Sequence, residues 1–138
     1  MISYIQEDIK FRCKDKRKIS RWIGKVINNF SDKKEGEIAI VFCSDNYLLE
    51  INKKFLSHGY YTDVITFDYT EGVVVSGDIL ISIDRIAENS TEYEVTFDEE
   101  LHRVIIHGVL HLLGYKDSSD EERAEMRAKE DRALATFV

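Results

Sequence analysis

Residues 107–117 read HGVLHLLGYKD, and the reading of this stretch decides what the rest of the chain must build around it. Val104, Ile105 and Ile106 before it, with Val109, Leu110, Leu112 and Leu113 inside it, leave almost no polar side, so the segment reads as a buried helix. Two imidazoles interrupt that apolar surface. Side chains four apart on a helix stand one above the other, so His107 and His111 point the same way and can share one ion. Burying both without partners is unfavourable. Gly114 falls where a helix ends through a left-handed residue, a conformation glycine adopts without steric penalty. The chain can then reverse and bring Asp117 back beside the imidazoles. Three protein donors with one position left for water is the pattern of catalytic zinc, whereas structural zinc is usually closed by four donors rich in cysteine. The expectation is one Zn²⁺ per chain, or another divalent metal, on His107, His111 and Asp117.

Working outward, Thr96 and Glu99 form a T-x-x-E pattern that opens this helix at Phe97 and carries it to about Leu113. Ser118 with Glu121, and Ser119 with Glu122, offer two overlapping capping boxes for a last helix to about Ala135, strongly polar and expected outermost. Near the start, Asp15 is placed to cap a helix whose Ile19, Trp22, Ile23, Val26, Ile27 and Phe30 recur at spacings of three and four. EIAIVFC (37–43) reads as a strand, and Ser44 caps a helix through Leu48, Ile51 and Phe55. DVITFDY (63–69) and VVVSGDILIS (73–82) read as two strands about the turn TEG, with Gly77 as a bulge, and a short helix follows from Asp84 to Asn89. The fold class expected is α+β: a small mixed β-sheet packed with helices, the metal-binding histidines lying on a buried helix.

Length and composition suit this. The 138 residues, 43% hydrophobic and 33% charged, are expected to form one domain over 1–138. No apolar run approaches a membrane span of about 18 residues, and the opening MISYIQEDIKFR carries acids where a signal peptide is basic and then apolar, so no membrane role and a cytoplasmic location are expected. Cys13 and Cys43 lack metal or redox spacing and read as reduced thiols. The net charge of −7 is uneven: residues 10–34 carry +8 and the remainder −15. An acidic protein binds nucleic acid poorly without a local basic face, so Lys14, Arg17 and Lys18 are candidate RNA contacts. Arg85 is another. His58 sits in a polar loop before TDV and is a candidate catalytic residue. His102 lies off the face of the histidine pair.

The layout H-x-x-x-H-x-x-G-x-x-D is similar to the metzincin protease motif, yet Gly108 stands where those enzymes place their general-base glutamate. That argues against peptide hydrolysis. The chain instead resembles the YbeY family, the single-strand-directed metallo-endoribonucleases of ribosomal RNA maturation. HGVLHLLGYKD meets the family's H-G-x-L-H-L-x-G-Y-D-H except in its last two residues, TDVITF (62–67) is similar to T-D-V-L-S-F, and GDILIS (77–82) to its G-D-I strand. Asn52 and Phe55 fit L-N-x-x-Y-R, and Met126 with Glu130 fit the closing M-x-x-x-E. The resemblance implies a metal-dependent endoribonuclease in ribosomal RNA maturation and ribosome quality control, with ribosomal RNA or the small ribosomal subunit as partner. Two departures matter: Asp117 replaces the third histidine, which makes the site harder and widens the metals toward manganese, and Leu56 replaces an arginine, for which Arg85 is a candidate substitute as an RNA contact. The rival from another class is a ribosome-associated assembly factor whose metal is structural and which cuts nothing.

Overall fold

The structure is a computed structural model that describes residues 1–57 and 59–137. Its element order is β1 (Ile2–Gln6), α1 (Lys16–Phe30), β2 (Lys34–Cys43), α2 (Asp45–Leu56), β3 (Val64–Asp68), β4 (Val74–Ser82), α3 (Ile83–Glu92), α4 (Phe97–Leu112) and α5 (Asp120–Leu134). The strands form one mixed sheet in the order β1-β2-β4-β3, in which β2 pairs parallel with β1 and β4 while β3 lies antiparallel on β4. The α+β expectation therefore holds.

Alternation along the central strands divides the core. Ile38, Ile40 and Phe42 of β2 and Ile79 and Ile81 of β4 point to the face covered by α1 and α4, where the larger cluster of buried residues lies. Val41, Cys43 and Leu80 point the other way, onto Leu48 of α2, in a smaller cluster. On the larger face α4 presents Leu101, Val104, Ile105, Val109 and Leu112 to sheet and helices alike, which explains its apolar sequence on nearly every side. Both cysteines are free and buried, and burial pushes the Cys43 thiol up to about 12, far from reactive.

Several local expectations are corrected. Asp15 does not cap α1: it sits at φ 59 in the left-handed region, and its side chain makes no capping bond. The N-terminal strand β1 was absent from the sequence reading; ISYIQ is short, lies at the sheet edge and is only partly buried, so its pattern is weak. The register irregularity is on β2, between Glu35 and Ile38, and not at Gly77, which pairs with Ile38 in regular register. Helix α3 extends to Glu92, beyond the Asn89 expected. Helix α5 is polar but not outermost on all sides, since Met126, Glu130 and Ala133 are buried. Ser44 accepts the Tyr47 amide and Thr96 the Glu99 amide as expected, and of the two overlapping boxes offered for α5 Ser119 with Glu122 is the one that closes, Glu122 also taking the Ser118 amide.

Gly77 is needed for space. A Cβ there would lie 2.5 Å from the Phe67 carbonyl oxygen and 2.7 Å from Leu112 Cδ2, so β3, β4 and α4 all meet at this point. Gly77→Ala is expected to destabilise the protein by about 1–3 kcal/mol, because a backbone oxygen cannot move aside as a side chain can. The check is chemical denaturation, with a lowered midpoint at unchanged slope.

Candidate metal centre

Helix α4 ends in a turn that the sequence specifies closely. Leu113 is its C-cap, Gly114 follows at φ 102, the Gly114 amide donates to the His111 carbonyl at 3.0 Å, and the Tyr115 amide donates to the Leu110 carbonyl at 3.1 Å. This is the Schellman arrangement, and the positive φ explains the glycine. The Tyr115 hydroxyl donates to the Phe30 carbonyl at 2.9 Å, tying the turn to the end of α1. The chain reverses as expected and delivers Asp117 to the histidines.

There, three donor atoms converge. His107 Nε2 and His111 Nε2 are 3.0 Å apart, and Asp117 Oδ2 lies 3.2 Å from the first and 3.3 Å from the second. Each imidazole is fixed through its other nitrogen. His111 Nδ1 lies 3.0 Å from the Tyr115 carbonyl oxygen and His107 Nδ1 lies 2.7 Å from Glu130 Oε2. A carbonyl and an ionised carboxylate can only accept, so both Nδ1 atoms carry a hydrogen, and each ring in its neutral form turns a bare lone pair inward. Two such lone pairs and a carboxylate oxygen facing one another repel unless a cation stands between them. A tetrahedral ion with bonds of about 2.0 Å spaces its donors about 3.3 Å apart, and the observed separations match. The cluster therefore fits a divalent metal, with the fourth direction free of protein donors among the described residues.

Without an ion, a proton eases the repulsion. Burial pushes His107 down, but the hydrogen bond and charge of Glu130, with the charges of Asp117 and Asp63, outweigh it and leave its pKa raised. Glu130 is 5% exposed; burial pushes it up, yet its bonds to His107 and Arg103 hold its pKa low. Arg103 Nη1 donates to Glu130 Oε1 at 2.8 Å and Nη2 to Asp131 Oδ1 at 2.7 Å, so the carboxylate that orients His107 is itself held from behind. Glu130 was matched in sequence only as part of the closing M-x-x-x-E; its spacing on α5, with Met126 four residues earlier on the same face, is the signal that points it inward.

Two cavities flank the triad. One, of about 290 Å³, is lined by Asn52, Leu56, Tyr60 and Thr62, and the other, of about 320 Å³, lies between α4, α5 and the end of α3. Asp63, Val64, His107 and Asp117 line both, so the cleft runs across the triad. Asp63 was not singled out as a site residue from sequence. Burial raises its pKa, with the charge of His107 opposing. Asn52, 2% exposed, donates to the Tyr60 carbonyl at 2.9 Å and so anchors the loop that forms one wall. Gly108 faces the sheet, where a Cβ would lie 2.6 Å from Ile79 Cγ2. A glutamate at that position would meet β4 and not the cleft.

The candidate RNA contacts lie elsewhere. Lys14, Arg17, Lys18 and Arg85 line neither cavity flanking the triad. Lys14 lines a separate cavity beside Phe11 and Asp98, and Lys18 sits over the Phe137 ring, at the end of α1 away from Tyr115. Arg85 donates to Asp45 at 2.7 Å and lies over the Tyr61 ring, so its guanidinium is engaged. His58 lies outside the described residues. His102 packs edge-on against Trp22 and Phe137, and burial lowers its pKa.

Comparison with known proteins agrees with this geometry. A family model described as Endoribonuclease YbeY matches residues 1–138. The chain is 50% identical over 137 residues to an endoribonuclease YbeY of Flavobacterium psychrophilum, covering 99% of this chain and 96% of that one. It is 48% identical over 134 residues to that of Parabacteroides distasonis, covering 97% and 94%. The solution structure of TM1509 from Thermotoga maritima superposes with a TM-score of 0.68 at 25% identity, covering 99% of this chain and 89% of that chain. With its family pattern, fold and converging donors in agreement, this chain belongs to the endoribonuclease YbeY family.

Proposed function

We propose that the protein, acting as one domain over residues 1–138, is a metal-dependent endoribonuclease that cuts single-stranded RNA in ribosomal RNA maturation and ribosome quality control in the cytoplasm. One Zn²⁺ per chain is held by His107, His111 and Asp117, and the partner is ribosomal RNA or the small ribosomal subunit. The observation that carries the reading is the convergence of three lone-pair donors, each within 3.3 Å of the others, in a cleft open on both sides. Family membership supports RNA as the substrate.

When bound there, the ion supplies Lewis acidity toward a phosphodiester oxygen and a more acidic water. The protein's own groups do the rest. Glu130 fixes the His107 ring and makes it a stronger donor, the Tyr115 carbonyl does the same for His111, and Asp117 adds a negative charge that tempers the ion. Asp63, whose carboxyl holds a proton more readily than an ordinary aspartate, faces both cavities and is placed to exchange a proton with the substrate. The basic end of α1, with Lys14, Arg17 and Lys18, is proposed as an outlying contact for longer RNA on the strength of its charge.

The test joins elemental analysis to an RNA cleavage assay. About one metal per chain is expected by the three-donor argument, with cleavage of single-stranded RNA abolished by a chelator and restored by Zn²⁺. Metal at full occupancy with RNA left intact would favour the assembly-factor reading.

A further inference from the structure

The larger of the two cavities has one wall that the metal centre does not use. On α5, Arg123, Met126, Arg127 and Glu130 all line it, at the spacing of one helix face. Met126 and Glu130 are buried on this face, while Arg123 and Arg127 line the cavity with their side chains exposed. Glu130 and Met126 are accounted for by His107 and the core. The arginines of this cavity differ in their commitments. Arg103 is bound to Glu130 and Asp131, and Arg123 is bound to Asp120 and to the Asp117 and Ser118 carbonyls. Arg127 makes no hydrogen bond or ion pair among the described residues and acts on Glu100 through its charge alone.

Across the same cavity stands Tyr93. It is 57% exposed and contacts no other ring or cation among the described residues. Glu94, a non-glycine residue at φ 56, turns the chain from α3 toward α4 immediately after it. That turn is strained for an ordinary side chain, and it fixes an unpartnered aromatic ring at the cavity mouth. By contrast, no lysine or arginine among the described residues lines the second cavity, and Leu56 lies on its wall.

We propose that Arg127 and Tyr93 form the nucleotide-binding wall on one side of the metal triad. Arg127 binds a backbone phosphate next to the one that is cut, and Tyr93 stacks on the adjoining base. This rests on the endoribonuclease reading and deepens it. A free guanidinium is suited to phosphate by its planar fork of donors, and a tyrosine ring stacks on any base because every base has a π-face. The volume of about 320 Å³ lies at the small end of ligand sites, room for one nucleotide and not for a duplex. The wall thus selects single strands by shape and leaves sequence largely unread.

The experiment measures binding of the metal-loaded protein to a short, single-stranded phosphorothioate RNA by fluorescence anisotropy across salt concentrations. Metal content and thermal melting are recorded for every variant. Arg127→Gln is expected to weaken binding about tenfold and to reduce the log–log salt slope by about 0.7, the value for one phosphate contact on a single strand. Tyr93→Leu should weaken binding about tenfold at an unchanged slope, while Tyr93→Phe keeps parental affinity. Folded Arg127→Gln and Tyr93→Leu proteins with parental affinity and slope would overturn the proposal. Equal losses in Tyr93→Phe and Tyr93→Leu would overturn stacking in favour of a hydroxyl contact. If the parent neither binds nor cuts RNA, the endoribonuclease reading falls and takes this wall with it; if the parent cuts RNA and the variants match it, this wall alone falls.

Discussion

Glu130→Ala is expected to lower stability by about 3 kcal/mol and metal affinity by about 10- to 100-fold. The carboxylate is buried and bonded to His107 at 2.7 Å and Arg103 at 2.8 Å, so its loss strips the imidazole and the guanidinium of a partner in a place that water reaches poorly. Arg103 keeps Asp131 and His107 can shed its proton, which puts the cost at the lower end for a broken buried pair. The His107 ring, no longer held at Nδ1, is free to rotate away from His111. The pH dependence of the metal-free protein provides a second readout. His107 has a raised folded pKa, so its contribution is fully present below the unfolded imidazole value and is lost as pH rises through the folded one. Glu130 has a lowered folded pKa, so its contribution is present above the unfolded carboxylate value and is lost as pH falls through the folded one. Parental metal-free protein should therefore be most stabilised by this pair between the carboxylate and imidazole ranges. Denaturation midpoints across pH should show that maximum flattened in Glu130→Ala. A variant as stable as the parent, with unchanged metal affinity, would remove Glu130 from the site.

His111→Ala should reduce metal affinity more than about 100-fold, beyond the loss of an outer partner, because it deletes one of the three converging donors. After dialysis the metal content is expected near zero, and RNA cleavage should fall to the level of the chelated parent. The imidazole side chain is 24% exposed and bonds through Nδ1 to a carbonyl at the helix end, so the fold should tolerate its removal. Retained metal with lost cleavage would mean that His111 serves the reaction without holding the ion. Comparison with Glu130→Ala separates a donor from the group that aims one: the first loses metal with little loss of stability, the second loses both.

Much of this centre was legible before any coordinates. The spacing of His107 and His111, the glycine that permits φ 102, and Asp117 three residues later are local relations on a single helix and turn, and local relations are what a sequence displays. The caps at Ser44, Thr96 and Ser119 were legible for the same reason. What escaped depends on partners distant in sequence. Strand β1 exists because β2 offers it a parallel edge, and nothing within ISYIQ announces that pairing. Gly77 resembles a bulge glycine, but its role is set by the Phe67 carbonyl and Leu112, elements that meet only in the folded sheet. Asp63 and Arg127 line one cavity because the residue before β3 and the helix α5 both come up against α4, which nothing local in the sequence announces. The basic segment shows the converse: its charge is plain in the sequence, but its place relative to the cleft is not, and Lys14, Arg17 and Lys18 line neither cavity beside the triad.

The donors and the group that orients them, from His107 to Glu130, all lie on one helix, one turn and the next helix. Closing so short a loop costs little chain entropy and takes roughly 10–100 ns, whereas the parallel pairing of β1 with β2 must wait for the crossover through α1. Bringing the donors together therefore requires no strand pairing, only the end of α4 and its turn. The same locality lets the unfolded chain retain some affinity for the ion. Added metal then raises the melting temperature by less than its affinity for the native protein implies, since binding to the unfolded state offsets part of the gain.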